Sequence, residues 1–298
     1  MREINKDLTK PGRLLLITLV ALLLFALVST VLASAVMVAA GINPLSVSGE
    51  NLTVGQRQAF RLALLCSNLF LFVGTALAAF VFAYRGGWRR AAGLDRGPQS
   101  SSLAYAIGFF VLSLPVVAYL AYLNLQVDLP EWAVQTEDRT NQLLAGVLTM
   151  SSIPEVLMAL VTVALTPALG EELLLRGLVQ RRIFGQWFRS HHLAIWLAAF
   201  LFSFMHFEFA GFLPRLALGV TLGYSYHWTR SLWVPIGLHF AFNGLQVMVA
   251  YVTGEFTPDT QMADVPPWWL AIVSLVIVGY LGWRAETLFA PPTATEDA

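Results

Sequence analysis

Eight apolar stretches, each nearly free of charge, constrain this chain more than any other feature: Leu14–Ala40, Leu62–Tyr84, Leu103–Leu125, Ile153–Gly170, Leu193–Phe207, Phe212–Trp228, Leu232–Val252 and Trp268–Trp283. A membrane-crossing helix needs about 20 mostly apolar residues. Inside hydrocarbon a backbone must satisfy its own hydrogen bonds, which leaves helices or closed barrels. The expected fold is an all-α, polytopic membrane helical bundle of about eight transmembrane helices. Composition agrees, with 57% hydrophobic and 12% charged residues, against about 25% charged in a soluble domain. The first stretch outruns the roughly 7–15 apolar residues of a cleavable signal peptide. Zero formal net charge and the lack of a basic stripe remove the electrostatic basis for nucleic-acid binding. The single cysteine, Cys66, excludes an internal disulfide and any Cys-based zinc cluster.

Basic residues set the orientation. With the N-terminus in the cytoplasm, 14 of the 18 basic residues fall inside; Arg57, Arg61, Arg139 and Arg215 fall outside. An even number of spans returns the C-terminus to the cytoplasm. Val127–Arg139 and Gly254–Pro267 are acidic and read as external loops, and Ala290–Ala298 as a disordered tail. Three segments follow: 1–150, with three spans and an external loop; 151–253, with the fourth to seventh spans; and 254–298, with the eighth span and the tail. Short loops suit a multi-pass protein of a prokaryotic inner membrane.

Ionisable groups inside spans are costly and usually functional. Three groups stand out, all in the second half. The first is Gly170-Glu171-Glu172-Leu-Leu-Leu-Arg176-Gly177. Glu172 and Arg176, four apart, share a helix face and can pair at its cytoplasmic end; Glu171, about 100° round, is left over. Pro167 precedes them and should free a backbone carbonyl. Ser152-Ile-Pro154-Glu155 reads as a capping box, with Glu155 as a cap. The second group is Phe202-Ser-Phe-Met-His206, and the third is His239-Phe-Ala-Phe-Asn243, whose His and Asn also share a face. Glu172 and His206 each lie 17 residues from the turn near Arg189, so a hairpin brings them level. Counting from the turns puts all three groups in the cytoplasmic half or near the midplane; counted from Ile153, Glu171 instead lies about 27 Å in from the external end, a conflict that tilt or a helix start outside the hydrocarbon would absorb. Each group also admits a plain helix-packing role, as does Gly219-Val-Thr-Leu-Gly223.

A carboxylate and a histidine can hold a water and take its proton, and a histidine with an amide can donate to an oxyanion. No serine or cysteine stands beside these histidines as a nucleophile. The chemistry that fits is water attack on an amide within the membrane. No resident cofactor is demanded. A divalent metal such as zinc would take Glu171, His206 and His239, and metal-free and metal-assisted versions both stand. H-E-x-x-H is absent, which excludes an ordinary zincin.

Glu171-Glu172-x-x-x-Arg176, Phe202-x-x-x-His206 and His239-x-x-x-Asn243, in this order, resemble the three-motif signature of the CAAX protease and bacteriocin-processing (CPBP) family. These intramembrane endopeptidases include the type II CAAX prenyl endopeptidases. The resemblance spans roughly Ser151 to Ala250 and implies Glu171 as the base acting on water with His206. It implies His239 and Asn243 as the oxyanion-side pair, with Glu172, Arg176 and Phe202 supporting. The partners implied are the lipid bilayer and a protein or peptide substrate, prenylated or membrane-embedded. Two rivals from other classes remain: a proton-coupled secondary transporter using Glu171, His206 and His239 as a relay, and a non-catalytic membrane scaffold or immunity protein.

Overall fold

A computed structural model describes residues 7–47, 49, 52–254 and 265–289. The tail at 290–298 and most of the acidic segment 254–267 lie outside the described residues. Nine helices follow one another among the described residues: α1 Pro11–Ala39, α2 Val54–Ala92, α3 Ser100–Asn124, α4 Glu131–Leu148, α5 Ile153–Trp187, α6 His191–Phe204, α7 Phe212–Thr229, α8 Trp233–Thr253 and α9 Trp268–Phe289. Each of the eight apolar stretches forms a helix. Six of them (α1, α2, α3, α5, α8 and α9) are long and apolar enough to cross a membrane; α6 and α7 have 14 and 18 residues. Apolar side chains cover the outside of the bundle, including Leu23, Val252 and Val276, each at least 67% exposed. Such a surface belongs in lipid, and the protein is a multi-pass integral membrane protein.

Local signals start and stop these helices. Pro11 opens α1, where its missing N–H costs nothing. A capping box opens α2: Thr53 Oγ1 accepts from the Gln56 N–H while Gln56 Oε1 accepts from the Thr53 N–H. Gly254, at φ 76°, ends α8 in the left-handed conformation that glycine adopts without penalty.

The structure corrects the loop expected after α3. Glu131–Leu148 is a helix, α4, opened by Glu131 in its first turn. Its buried Glu137 accepts the Ala210 N–H at 2.6 Å, so this acidic segment packs on the bundle instead of extending into solvent.

At the centre runs α5, with every residue from Gly170 to Gln180 buried. Its 35 residues span about 52 Å, well beyond the roughly 30 Å of hydrocarbon. Glu171 therefore lies near mid-helix, and its distance from Ile153 does not measure depth in the bilayer. Lipid gives little hydrophobic push between helices, so close packing through small residues does the work. Ala76, Ala79 and Ala83 of α2 are fully buried in the same cluster as Leu174, Leu175 and Leu178 of α5. A Cβ on Gly170 would stand 2.7 Å from Phe72 Cβ, so only glycine allows that approach.

At its start, α5 departs from the capping box. Ser152 makes no side-chain cap. Glu155 instead accepts from the N–H and hydroxyl of Ser151, and pairs with Arg57 and Arg61 of α2 at 3.0 Å each. Glu155 and Arg61 are 1% and 0% exposed. These arginines join two helices inside the bundle. Arg215 is likewise paired, with Glu208.

Candidate active site

Two stretches of α5, Leu160–Leu165 and Glu172–Phe184, are wound as π-helix, and Pro167 lies between them. Proline has no N–H to return to the carbonyl four residues earlier. That carbonyl, Val163 O, accepts from Asn243 Nδ2 of α8 at 3.2 Å. The neighbouring Thr162 O accepts from Asn68 Nδ2 of α2 at 3.1 Å and from Thr166 Oγ1 at 3.2 Å. Two amides from flanking helices thus hold the carbonyls that the irregular backbone releases. π-Turns of this kind are rare and occur often at functional sites.

One turn on, a buried polar chain crosses from α5 to α8. Arg176 Nη1 lies 3.0 Å from Glu172 Oε1, with both side chains fully buried. The expected pair forms, but in the interior and not at a solvated helix end, so Arg176 does not count among the cytoplasmic charges. Its Nη2 also donates to Gly219 O at 3.1 Å, and its guanidinium lies 4.7 Å over the Phe202 ring. Gly219 also lets α7 pack closely on α6, since a Cβ there would meet Ala199 Cβ at 3.0 Å. Gln180 repeats the contact one turn later, donating to Gly223 O at 3.0 Å. On its other side, Glu172 Oε1 accepts from His239 Nδ1 at 2.9 Å. The other ring nitrogen of His239, Nε2, is 4.0 Å from Glu171 Oε2. Removing one partner of such a buried pair typically costs about 3–5 kcal/mol.

Glu171, Phe202 and His206 line a cavity of about 210 Å³ with Asn68, Phe72, Leu175 and Met205. Glu171 is 7% exposed, and its Oε2 is buried without a hydrogen-bond partner. His206 lies just past the C-terminus of α6 and is exposed, so the cavity runs from an open imidazole to a buried carboxylate. His206 Nδ1 donates to Phe202 O at 2.7 Å. A carbonyl can only accept, so this bond fixes the tautomer and leaves a lone pair on Nε2. Phe202 packs edge-on between His206 and His239, at 5.2 and 5.7 Å. His239 lies behind the cavity wall, and Asn243, one turn along α8, is engaged with Val163 O.

Three positioning residues have no motif in the sequence. Asn68 both lines the cavity and binds the backbone of α5. Asn124 clamps the segment after His206, donating to Phe209 O at 2.9 Å and accepting from the Leu213 N–H at 2.7 Å. Glu137 holds the Ala210 N–H in the same segment. An asparagine near the end of an apolar stretch was the one available signal for Asn68 and Asn124.

The structure does not gather Glu171, His206 and His239 as a metal triad. Among the described residues, one His/Cys/Asp/Glu trio has its ligand atoms within 4.8 Å of one another, and it is His191, His227 and Glu286. His239 presents one ring nitrogen to each glutamate and none to a shared point with His206.

Residues 153–245 match the sequence model of the type II CAAX prenyl endopeptidase Rce1-like family. The chain is also similar to the uncharacterized protein YpbD of Bacillus subtilis (strain 168), at 30% identity over 98 residues, covering 32% of this chain and 44% of that protein. The chain thus aligns with less than half of that relative's length. No solved structure matches it.

Proposed function

We propose that this chain, whose residues 153–245 match the Rce1-like family model, is an intramembrane endopeptidase that cleaves a peptide bond with water activated by Glu171 and His206. One observation carries the reading: a carboxylate with one oxygen buried and without a hydrogen-bond partner, and a tautomer-fixed imidazole, line the same cavity. Water between Glu171 and His206 Nε2 gives its proton to Glu171, and the hydroxide attacks the peptide carbonyl carbon. His239, with one ring nitrogen towards each glutamate, braces the Glu171–Glu172 pair from behind the cavity wall and does not itself donate to the oxyanion. Asn243 has a second amide N–H beyond the one held by Val163 O, and offers it to the oxyanion. Collapse breaks the C–N bond, and the leaving amine takes the proton from Glu171.

Glu172 and Arg176 position this set. Arg176 balances the Glu172 charge, and Glu172 sets the His239 ring, as an outer carboxylate does for a working histidine. Phe202 separates the two imidazoles and covers Arg176. None of these steps needs a metal. The substrate class is a prenylated or membrane-embedded protein or peptide, and the setting is a prokaryotic inner membrane with both termini cytoplasmic.

Comparative proteomics of membranes carrying the wild-type protein or Glu171→Gln tests the reading. A protein cut in the first and intact in the second is the expected result. No difference in cleavage, together with Glu171-dependent proton-coupled uptake, would replace the protease with a transporter. Neither effect would leave a scaffold.

A further inference from the structure

At the opposite end of α6 from His206, three helices meet at a second polar cluster. His191 opens α6, His227 lies near the end of α7, and Glu286 lies near the end of α9. Eleven residues of α6 separate His191 from Phe202, about 16 Å along the axis, so this cluster is apart from the cavity described above. We propose that His191, His227 and Glu286 form a divalent-metal site of the zinc class, fastening α9 to the α6–α7 pair. The proposal does not depend on the protease reading.

The donor set is two imidazole nitrogens and one carboxylate oxygen, which suits zinc and its neighbours. The ligand atoms all lie within 4.8 Å of one another. Glu286 Oε2 is 3.1 Å from His191 Nε2 and 4.0 Å from His227 Nε2. The two imidazoles are stacked, 4.1 Å apart and 7° from parallel. Metal–ligand bonds of about 2.0–2.1 Å need the farther atoms to close by about 1 Å and the stacked rings to tilt so that their lone pairs converge, an adjustment that His191, at 39% exposed, and Glu286, at 23%, have room to make.

Two further observations single out this cluster from ordinary polar contacts. His227 Nε2 is buried without a hydrogen-bond partner although a carboxylate lies 4.0 Å away. That separation is too long for a hydrogen bond and short enough for one ion to bridge. The other carboxylate oxygen, Glu286 Oε1, accepts from Trp228 Nε1 at 2.8 Å, so Oε2 is left to the histidines. Orientation of a ligand by an outer hydrogen bond is a regular feature of metal sites. Glu286 also lies outside the segment that matches the family.

Co²⁺ is the probe, added to the purified full chain in detergent micelles and followed by its visible ligand-field absorption. One equivalent should bind to the wild type. The His191→Ala/His227→Ala double variant and Glu286→Ala should lose it, His206→Ala should retain it, and Trp228→Phe should weaken it about 10–100-fold. X-ray absorption of the Co²⁺ wild type should count two imidazoles, a result that needs no folded variant. Failure of the wild type to bind, binding untouched by the double variant, loss on His206→Ala, or any other imidazole count would overturn the site.

Discussion

Replacing Glu171 or Glu172 by glutamine removes the same charge one residue apart, yet the structure assigns the two changes opposite costs. Glu171 Oε2 has no hydrogen-bond partner, and its nearest cation-forming neighbour, His239 Nε2, is 4.0 Å away. Glutamine keeps the shape and forfeits no bond at that oxygen, so folding should change little. Loss of a general base should lower kcat/KM by about 10²–10⁴, equivalent to about 2.7–5.4 kcal/mol of barrier. Glu172, by contrast, is the anion beside the fully buried Arg176. Glutamine there strands a guanidinium, at about 3–5 kcal/mol of stability. At about 2–4 °C per kcal/mol, that is a fall in Tm on the order of 10 °C. Both variants belong in proteoliposomes, with a fluorogenic farnesylated peptide ending in a CAAX sequence to read kcat/KM and thermal unfolding to read Tm. Glu171→Gln should be inactive with an unchanged Tm, and Glu172→Gln should show the lowered Tm. The opposite pattern, with Glu171→Gln near wild type and Glu172→Gln stable but inactive, would make the second glutamate the base and refute the assignment.

His206→Ala should abolish cleavage with Tm nearly unchanged, since this side chain is exposed and bonds only its own helix; a large fall in Tm would mark it as a packing residue. Asn243→Ala orphans Val163 O, and Pro167→Ala returns an N–H to that carbonyl, so the double variant should recover about 0.5–1.5 kcal/mol of stability; strictly additive losses would show the bond to be energetically idle. Glu155→Gln leaves Arg57 and the fully buried Arg61 facing a neutral amide and should cost about 3–5 kcal/mol while activity per folded molecule holds; an unchanged Tm would contradict the burial. Reporter fusions after Arg13, at Gln135 and at Thr293 should read inside, outside and inside, and an external signal at Thr293 would refute the even number of spans.

Apolar runs were legible because a spanning helix must hide its backbone from lipid whatever it packs against. Helix α4 was not, because its polar face and low hydropathy resemble a loop until Glu137 is seen bonded to Ala210 N. The three motifs were legible because i,i+4 spacing puts Glu172 beside Arg176. What they bind in three dimensions was only half legible. Pro167 announced a freed carbonyl; nothing announced that Asn243 would find it. Asn68 and Asn124 escaped notice because their partners are backbone atoms 94 and 85 residues away. The π-turns at Leu160–Leu165 and Glu172–Phe184 carry no residue signature.

Helix α6 has only 14 residues, about 21 Å of rise, beside a hydrocarbon layer of about 30 Å. Local thinning is one way a bilayer meets so short a wall, and His206 lies where α6 stops. Under the proposed function, such thinning would bring the membrane surface towards the cavity and give hydrolysis a route to bulk water. Turnover should then depend on acyl-chain length, rising in thin bilayers and falling in thick ones, with the lipid acting as a structural parameter of the reaction.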